Sequence, residues 1–310
     1  MFNRLMKKPF KERLKDTGYL FKHSFTIIGK DKDIKTPTIK MAVYSIIMTT
    51  SIFSALAMLF SNALILPGIF ILIFTIFILA PFKYFYDVRQ KADQSWIVYN
   101  TLSGKDISLQ DAHTHTGMFK PQLRFISFVT IVMAFSRSQS GEKKGILAVI
   151  ARIFLAIFQE IWDLLGHYML PAVVIEQKPL KELIEKIKSL RKNVPATFTG
   201  VFGIDFVGNV VKSLFGIIYL ILFIIALGIG ALIATFTTAT VVTIAGFSFS
   251  WIPVVIILYI SFLIGVIYGR IVESIKVIYF TIFYTAINRP SEIAPSMRGE
   301  LTHYLLMNGD

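Results

Sequence analysis

Cysteine is absent from the 310-residue chain, which excludes disulfides and thiolate metal centres and leaves the compartment open. Charge is scarce. Only 16% of residues are Asp, Glu, Lys or Arg, where a soluble domain of this size carries about 25%. Acidic residues are the scarcer sign, 19 against 32 Lys and Arg, for a net charge of +13. The first forty residues hold no apolar run of the signal-peptide kind. No cleaved leader is therefore expected, and the first membrane span serves as an uncleaved anchor. Catalytic signatures are missing as well: there is no GxxxxGK[ST], HExxH or GxSxG. The stretch "GIGALI" at 228–233 lacks the third glycine of a dinucleotide loop and lies inside an apolar run.

What the chain has in quantity is apolar surface: 55% hydrophobic residues and a mean hydropathy of +0.65. A membrane span needs roughly 20 mainly apolar residues at ~1.5 Å each, and several such blocks follow one another. The pattern predicts an all-α polytopic membrane protein with about six transmembrane helices plus amphipathic surface helices. In that setting the positive charge belongs to cytoplasmic loops and to anionic lipid headgroups, and no nucleic acid is expected.

Residues 1–40 form a basic cytoplasmic segment, with eleven Lys or Arg against four Asp or Glu and an apolar stripe in "YLFKHSFTII" that reads as a surface helix. The six-span domain covers 41–287. The first span is Met41 to Phe60 and the second runs from Leu64 to about Phe85, with Pro67-Gly68 and Pro81 expected to bend it or start its ends. Residues 86–120 are polar and cytoplasmic. They contain a helix in "YDVRQKADQSWIVYNTL", a stop at Gly104 and an N-cap at Ser108 with Asp111 three residues on. A short third span follows Lys120-Pro121 in "QLRFISFVTIVMAFSR", and a long fourth helix runs from about Ile146 to Ile175. "KPLKELIEKIKSLRKN" places Leu180, Leu183, Ile184, Ile187 and Leu190 on one face, predicting an in-plane helix over 178–193. The fifth span is Leu214 to Phe236. The sixth opens at Trp251 and can run unbroken to Ile287, with a charge-free loop, "TTATVVTIAGFSFS", before it and a cytoplasmic tail over 288–310. Lys and Arg counts put both termini in the cytoplasm of a cell inner (plasma) membrane. Arg137, Lys143 and Lys144 are the exception, on the outer side.

The order of "FKHSFTIIGKDKDIKTP", "GKDISLQDA", "HYMLPAVVIEQKPLKELIEKIKSLRKN" and "VIYFTIFYTAI" resembles that of uncharacterised six-helix prokaryotic membrane proteins. These are related to the membrane domain of glycerophosphodiester phosphodiesterases. The resemblance covers most of the chain, and "LPAVVIEQ" with the amphipathic helix behind it is its distinctive part. It implies a fold without a reaction, because those enzymes carry their chemistry in a separate soluble barrel. No stretch here is long or polar enough to be one.

Arg152, Gln159, Glu160, Asp163 and His167 fall within about a third of the fourth helix's circumference. Ionisable groups facing lipid cost from about 2.5 kcal/mol each, so this stripe must face protein or water. It either lines a polar cavity or forms a buried network that fixes helix register, with Glu160 and Asp163 reaching Lys212 or Arg270. Glu160, Asp163 and His167 also suit part of a divalent-ion site, though their spacing is nonspecific. Pro171 frees the His167 carbonyl, either as a packed kink or as a ligand for water or a cation. Ala226, Gly230 and Ala234, and likewise Ser261, Gly265 and Gly269, recur every fourth residue. Small residues at this spacing predict close helix packing, between these two helices or onto another subunit. Arg270, Glu273 and Lys276 read as a salt-bridged cytoplasmic helix end. Asp205, Asn209 and Lys212 could place polar groups at a cavity mouth. Asp111, His113 and His115 read as solvated groups or as a metal or proton sensor.

The expectation is a non-enzymatic integral membrane protein with no cofactor and no metal. It would be a lipid-interacting, membrane-organising or pore-like homo-oligomer whose partners are anionic headgroups and copies of itself. The alternatives are a small-solute or ion transporter or channel using the fourth-helix stripe, and an intramembrane hydrolase acting on a lipid by acid–base chemistry of that stripe.

Overall fold

The computed structural model describes residues 24, 26–59, 62–139, 168–178, 182–183, 194–237, 240–244 and 246–298. Among these, helix dominates. The principal helices are α1 (Thr36–Leu59), α2 (Ile65–Phe74), α3 (Ala80–Leu102), α4 (Leu109–Gly117), α5 (Lys120–Gln139), α6 (Val194–Ala234) and α7 (Trp251–Asn288). Residues 168–176 add a further helical segment. Among the described residues, four helical stretches are long and apolar enough to cross a membrane: Lys32–Leu59, Ile65–Leu102, Val211–Ala234 and Trp251–Ala286. By length and composition these suggest a membrane protein. The helix expected as the third span, α5, has 20 residues but is not among the four, because Lys120, Arg124 and Arg137 dilute its apolar run. Most of the fourth expected helix, 146–167, lies outside the described residues, as does most of the amphipathic helix over 178–193 and all but residue 24 of the first 25.

Local chemistry explains the boundaries. α2 and α3 form one continuous rod through a π-helical turn at Thr75–Leu79. Pro81 has no N–H to return to the preceding turn. The turn just before it widens, and the Ala80 N–H donates to the Thr75 carbonyl. Pro67, Gly68 and Pro81 therefore leave the rod unbroken. α3 ends in a Schellman arrangement: the Gly104 N–H bonds the Thr101 carbonyl (3.1 Å) and the Lys105 N–H bonds the Asn100 carbonyl (2.8 Å). Gly104 has φ +76°, which only glycine adopts freely. α4 opens with the expected capping box. Ser108 accepts from the Asp111 N–H (3.2 Å), and Asp111 accepts from the Ser108 N–H (3.3 Å).

The stretch before Trp251 differs from the expected loop. Val241–Ile244 and Phe247–Ser250 pair antiparallel as β1 and β2, with Val241 opposite Ser250 and Ile244 opposite Phe247. β-branched and aromatic residues suit strands, and Gly246, at φ +80°, lets the chain turn back.

The contacts divide the chain into two compact units. One comprises Met1–Met41, Tyr84–Asp205 and Val272–Asp310; the other comprises Ala42–Lys83 and Phe206–Ile271. The first holds the largest buried cluster: Ala92, Ile97, Val98 and Leu102 of α3, residues 168–175, and Val277 to Ala286 of α7, closed by Ile293 and Met297. The distinctive "LPAVVIE" stretch is buried throughout. In the second unit, Thr50 of α1 and Tyr259 of α7 share a hydroxyl hydrogen bond (2.8 Å), and Tyr44 donates to the Leu79 carbonyl (2.9 Å) beside the π turn.

Candidate functional site

α3 carries polar side chains into the core of the first unit. Asp87, Gln90, Asp93, Gln94, Ser95, Asn100 and Thr101 are all buried. A buried polar group costs free energy unless it is hydrogen-bonded, so its partners define what it holds together. Gln94 Nε2 lies within donating distance of the Ile34 carbonyl (2.9 Å), Thr38 Oγ1 (3.1 Å) and Ser274 Oγ (2.6 Å). Ser95 and Thr281 share a hydroxyl hydrogen bond (2.8 Å). These contacts stitch the start of α1, the middle of α3 and the second half of α7 together at one level.

Asp93 centres a second group. Its side chain is 1% exposed, and it meets Arg89 Nε at 3.7 Å and His113 Nδ1 at 2.8 Å. Thr116 donates its hydroxyl to the same carboxylate, and Arg89 Nη2 donates to the His113 carbonyl. Arg89 and Asp93 are i, i+4 on α3, while His113 and Thr116 are i, i+3 on α4. Each pair presents one face, and the carboxylate locks the two helices together. Above it lies an open depression of about 550 Å³ lined by Arg89, His113, Thr114, Gly117, Met118 and Lys120. His115 points elsewhere. It stacks on Trp96, with centroids 3.6 Å apart, and donates from Nε2 to the Val174 carbonyl (3.2 Å). Burial pulls its pKa below the ordinary value, against the opposing pull of that carbonyl, so the ring is neutral at pH 7.

A third group ties residue 176 to the end of α7. Glu176 accepts from Tyr284 Oη (3.0 Å), from Arg289 Nη2 (3.2 Å) and from Arg289 Nε (3.4 Å). Arg289 Nη1 donates to Glu292 (2.7 Å), which also accepts from the Tyr99 hydroxyl. The Tyr99 hydrogen bond, with that from Arg289, holds the Glu292 carboxyl below its ordinary 4.5 despite partial burial. A lowered folded-state pKa contributes stability above the unfolded value, and that stability is lost as pH falls through the folded one. Tyr99→Phe is thus expected to destabilise the protein at pH 7 and to lose that effect as the pH falls below 4.5 and through the lower folded-state value. Unfolding midpoints followed across pH 3–7 check it, and a deficit independent of pH would contradict it.

The sequence-derived candidates divide three ways. Arg152, Gln159, Glu160, Asp163 and His167 lie outside the described residues. Pro171 is inside a helical, buried segment. Ala226 is 1% exposed and Gly230 is buried against the Ser250 carbonyl, whereas a Cβ at Gly265 or Gly269 would meet nothing within 4 Å. Ala234 and Ser261 are partly buried and buried respectively. Glu273 pairs with Lys91 of α3 (3.5 Å). Arg270 and Lys276 are partly buried, and Lys212 is exposed. Asp205 and Asn209 belong to α6. The Asp93 and Glu176 groups were not singled out from sequence. Of their members the sequence had marked His113, as a solvated or sensing group, and Glu176 only as part of the distinctive "LPAVVIEQ" stretch.

The described residues are therefore largely helical, with four helices of membrane length and ionic locks in one unit. No family model, no curated protein and no solved structure matches the chain.

Proposed function

We propose that this is a non-enzymatic integral membrane protein that engages lipid and organises the membrane as a homo-oligomer. The observation that carries the reading is the character of its exposed surface. Ile39, Val43 and Ile47 on α1, Leu66, Phe70 and Ile73 on α2, Ile217, Leu220 and Ile224 on α6, and Ile256 and Ile260 on α7 all lie on the outside. Each set follows helical spacing. Exposed apolar area on this scale is unstable against water and is expected against lipid or a second copy. Gly265 and Gly269 leave α7 open to close backbone approach by another helix. The basic excess supports contact with anionic headgroups. The likeness to six-helix prokaryotic membrane proteins belongs to the same proposal, as do the six spans and the inner-membrane location with cytoplasmic termini.

Purified in mild detergent, the chain is expected to run as a discrete oligomer whose thermal stability falls on delipidation and returns with added anionic lipid. Gly269→Leu is expected to shift the oligomer towards single chains without lowering the helix content. A monodisperse monomer indifferent to lipid removal would count against the proposal.

A further inference from the structure

The depression above Asp93 has the makings of a ligand site. Its wall is cationic: Arg89 from α3 and Lys120 from the start of α5, with His113 and Thr114 of α4 between them. Arg89 is held rather than free-swinging. Its Nε faces Asp93 at 3.7 Å, its Nη2 is engaged by the His113 carbonyl, and its side chain is only 16% exposed. That fixes the plane of the guanidinium and leaves Nη1 with no partner among the described residues, beside the lining Gly117. A Cβ at 117 would come within 3.1 Å of Nη2 and 3.9 Å of Nη1, so the glycine keeps this face of the guanidinium uncovered. Lys120 is exposed and has no ion-pair partner among the described residues. One anchored fork and one exposed ammonium, over an opening of about 550 Å³, suit a phosphate group.

The surface beyond the cations indicates which phosphate. Met118 lines the depression and is exposed, and α5 then exposes Phe125, Phe128 and Val132 at i, i+3 and i+7. Lys120 and Arg124 sit at the near end of that exposed face, so along α5 cationic side chains give way to apolar ones within about two turns. An anionic phospholipid has the same order, headgroup first and acyl chain after. Resting on the lipid-interacting reading above, we infer that the Arg89–Lys120 depression binds the phosphate of an anionic phospholipid whose acyl chains lie along Phe125, Phe128 and Val132 of α5.

The test titrates the full chain in detergent with short-chain phosphatidylglycerol, phosphatidylcholine or inorganic phosphate. Bound lipid is read by native mass spectrometry and the thermal midpoint is followed in parallel. Phosphatidylglycerol is expected to bind saturably and raise the midpoint, with phosphatidylcholine weaker and inorganic phosphate weaker still. Lys120→Gln, on an exposed side chain that braces nothing, is expected to raise the half-saturating lipid concentration about fivefold. Arg89→Gln is expected to raise it further, and Lys105→Gln, away from the depression, to leave it unchanged. An equal, saturable response to inorganic phosphate would overturn the lipid assignment. Undiminished phosphatidylglycerol binding by Lys120→Gln would overturn this site while leaving lipid engagement standing. No response of the wild-type chain to any lipid would remove both.

Discussion

Arg289→Met is expected to be the most damaging single substitution in the first unit, costing about 3 kcal/mol. The reason is what it leaves behind. The Glu176 side chain is 3% exposed, and its oxygens accept from Arg289 Nε and Nη2 and from the Tyr284 hydroxyl. Without the guanidinium a buried carboxylate keeps its charge and loses the cation paired with it. Removing one partner of a buried pair typically costs about 3–5 kcal/mol, and the 35% exposure of Arg289 puts this case at the low end. Glu176→Gln removes the buried charge itself, and the Arg289 side chain can still reach Glu292 and water, so about 1 kcal/mol is expected. Chemical denaturation of both single variants and the double gives the coupling between the sites. The expected order is Arg289→Met worse than Glu176→Gln, with the double close to the latter. The reverse order would mean that the Glu176 charge is compensated chiefly by groups other than Arg289.

Gly230→Ala is expected to destabilise the second unit by about 1–3 kcal/mol, although alanine is the better helix former. An added Cβ would lie 2.6 Å from the Ser250 carbonyl oxygen and 3.5 Å from Phe249 Cβ. The first contact is with backbone, which cannot rotate away, so either α6 or the β1–β2 hairpin must move. Gly265→Ala, from the same kind of four-residue repeat, meets no atom and should be neutral or favourable within a single chain by up to about 1 kcal/mol. The contrast between the two glycines is read from thermal midpoints in the same detergent. Equal effects would show that the hairpin does not hold Ser250 against α6.

Features set by neighbours in sequence were legible; those set by distant partners were not. Ser108 and Asp111, three residues apart, carry their capping box in their spacing, and Gly104 carries its stop in its lack of a Cβ. The unbroken run from Trp251 to Asn288 follows from apolar length alone. The hairpin was missed because four-residue strands between two spans look like a short apolar loop, and only the pairing across Gly246 makes them strands. "YDVRQKADQSW" read as helix within a polar, cytoplasmic segment, with no inward face assigned. In the structure Asp93 and Gln94 are buried, because His113 and Thr116 satisfy one, and Ile34, Thr38 and Ser274 engage the other. Those partners lie 20 to 180 residues away. Periodicity cannot show which side of such a helix is inward when its burial depends on them. The small-residue repeats were likewise ambiguous: spacing marks where a backbone can approach, and of their glycines Gly230 meets one while Gly265 and Gly269 do not.

The account turns on the exposed apolar faces lying in lipid, and the absence of cysteine makes that directly measurable, since any introduced thiol is unique. Spin labels at Ile217→Cys, Leu220→Cys and Ile224→Cys, with Thr114→Cys as the reference, are to be compared in bilayers for collision with oxygen, which partitions into lipid, and with a nickel chelate, which stays in water. The account predicts that oxygen dominates at the three α6 positions and the chelate at 114. Chelate access at 224 equal to that at 114, or a chain that dissolves without detergent, would contradict it.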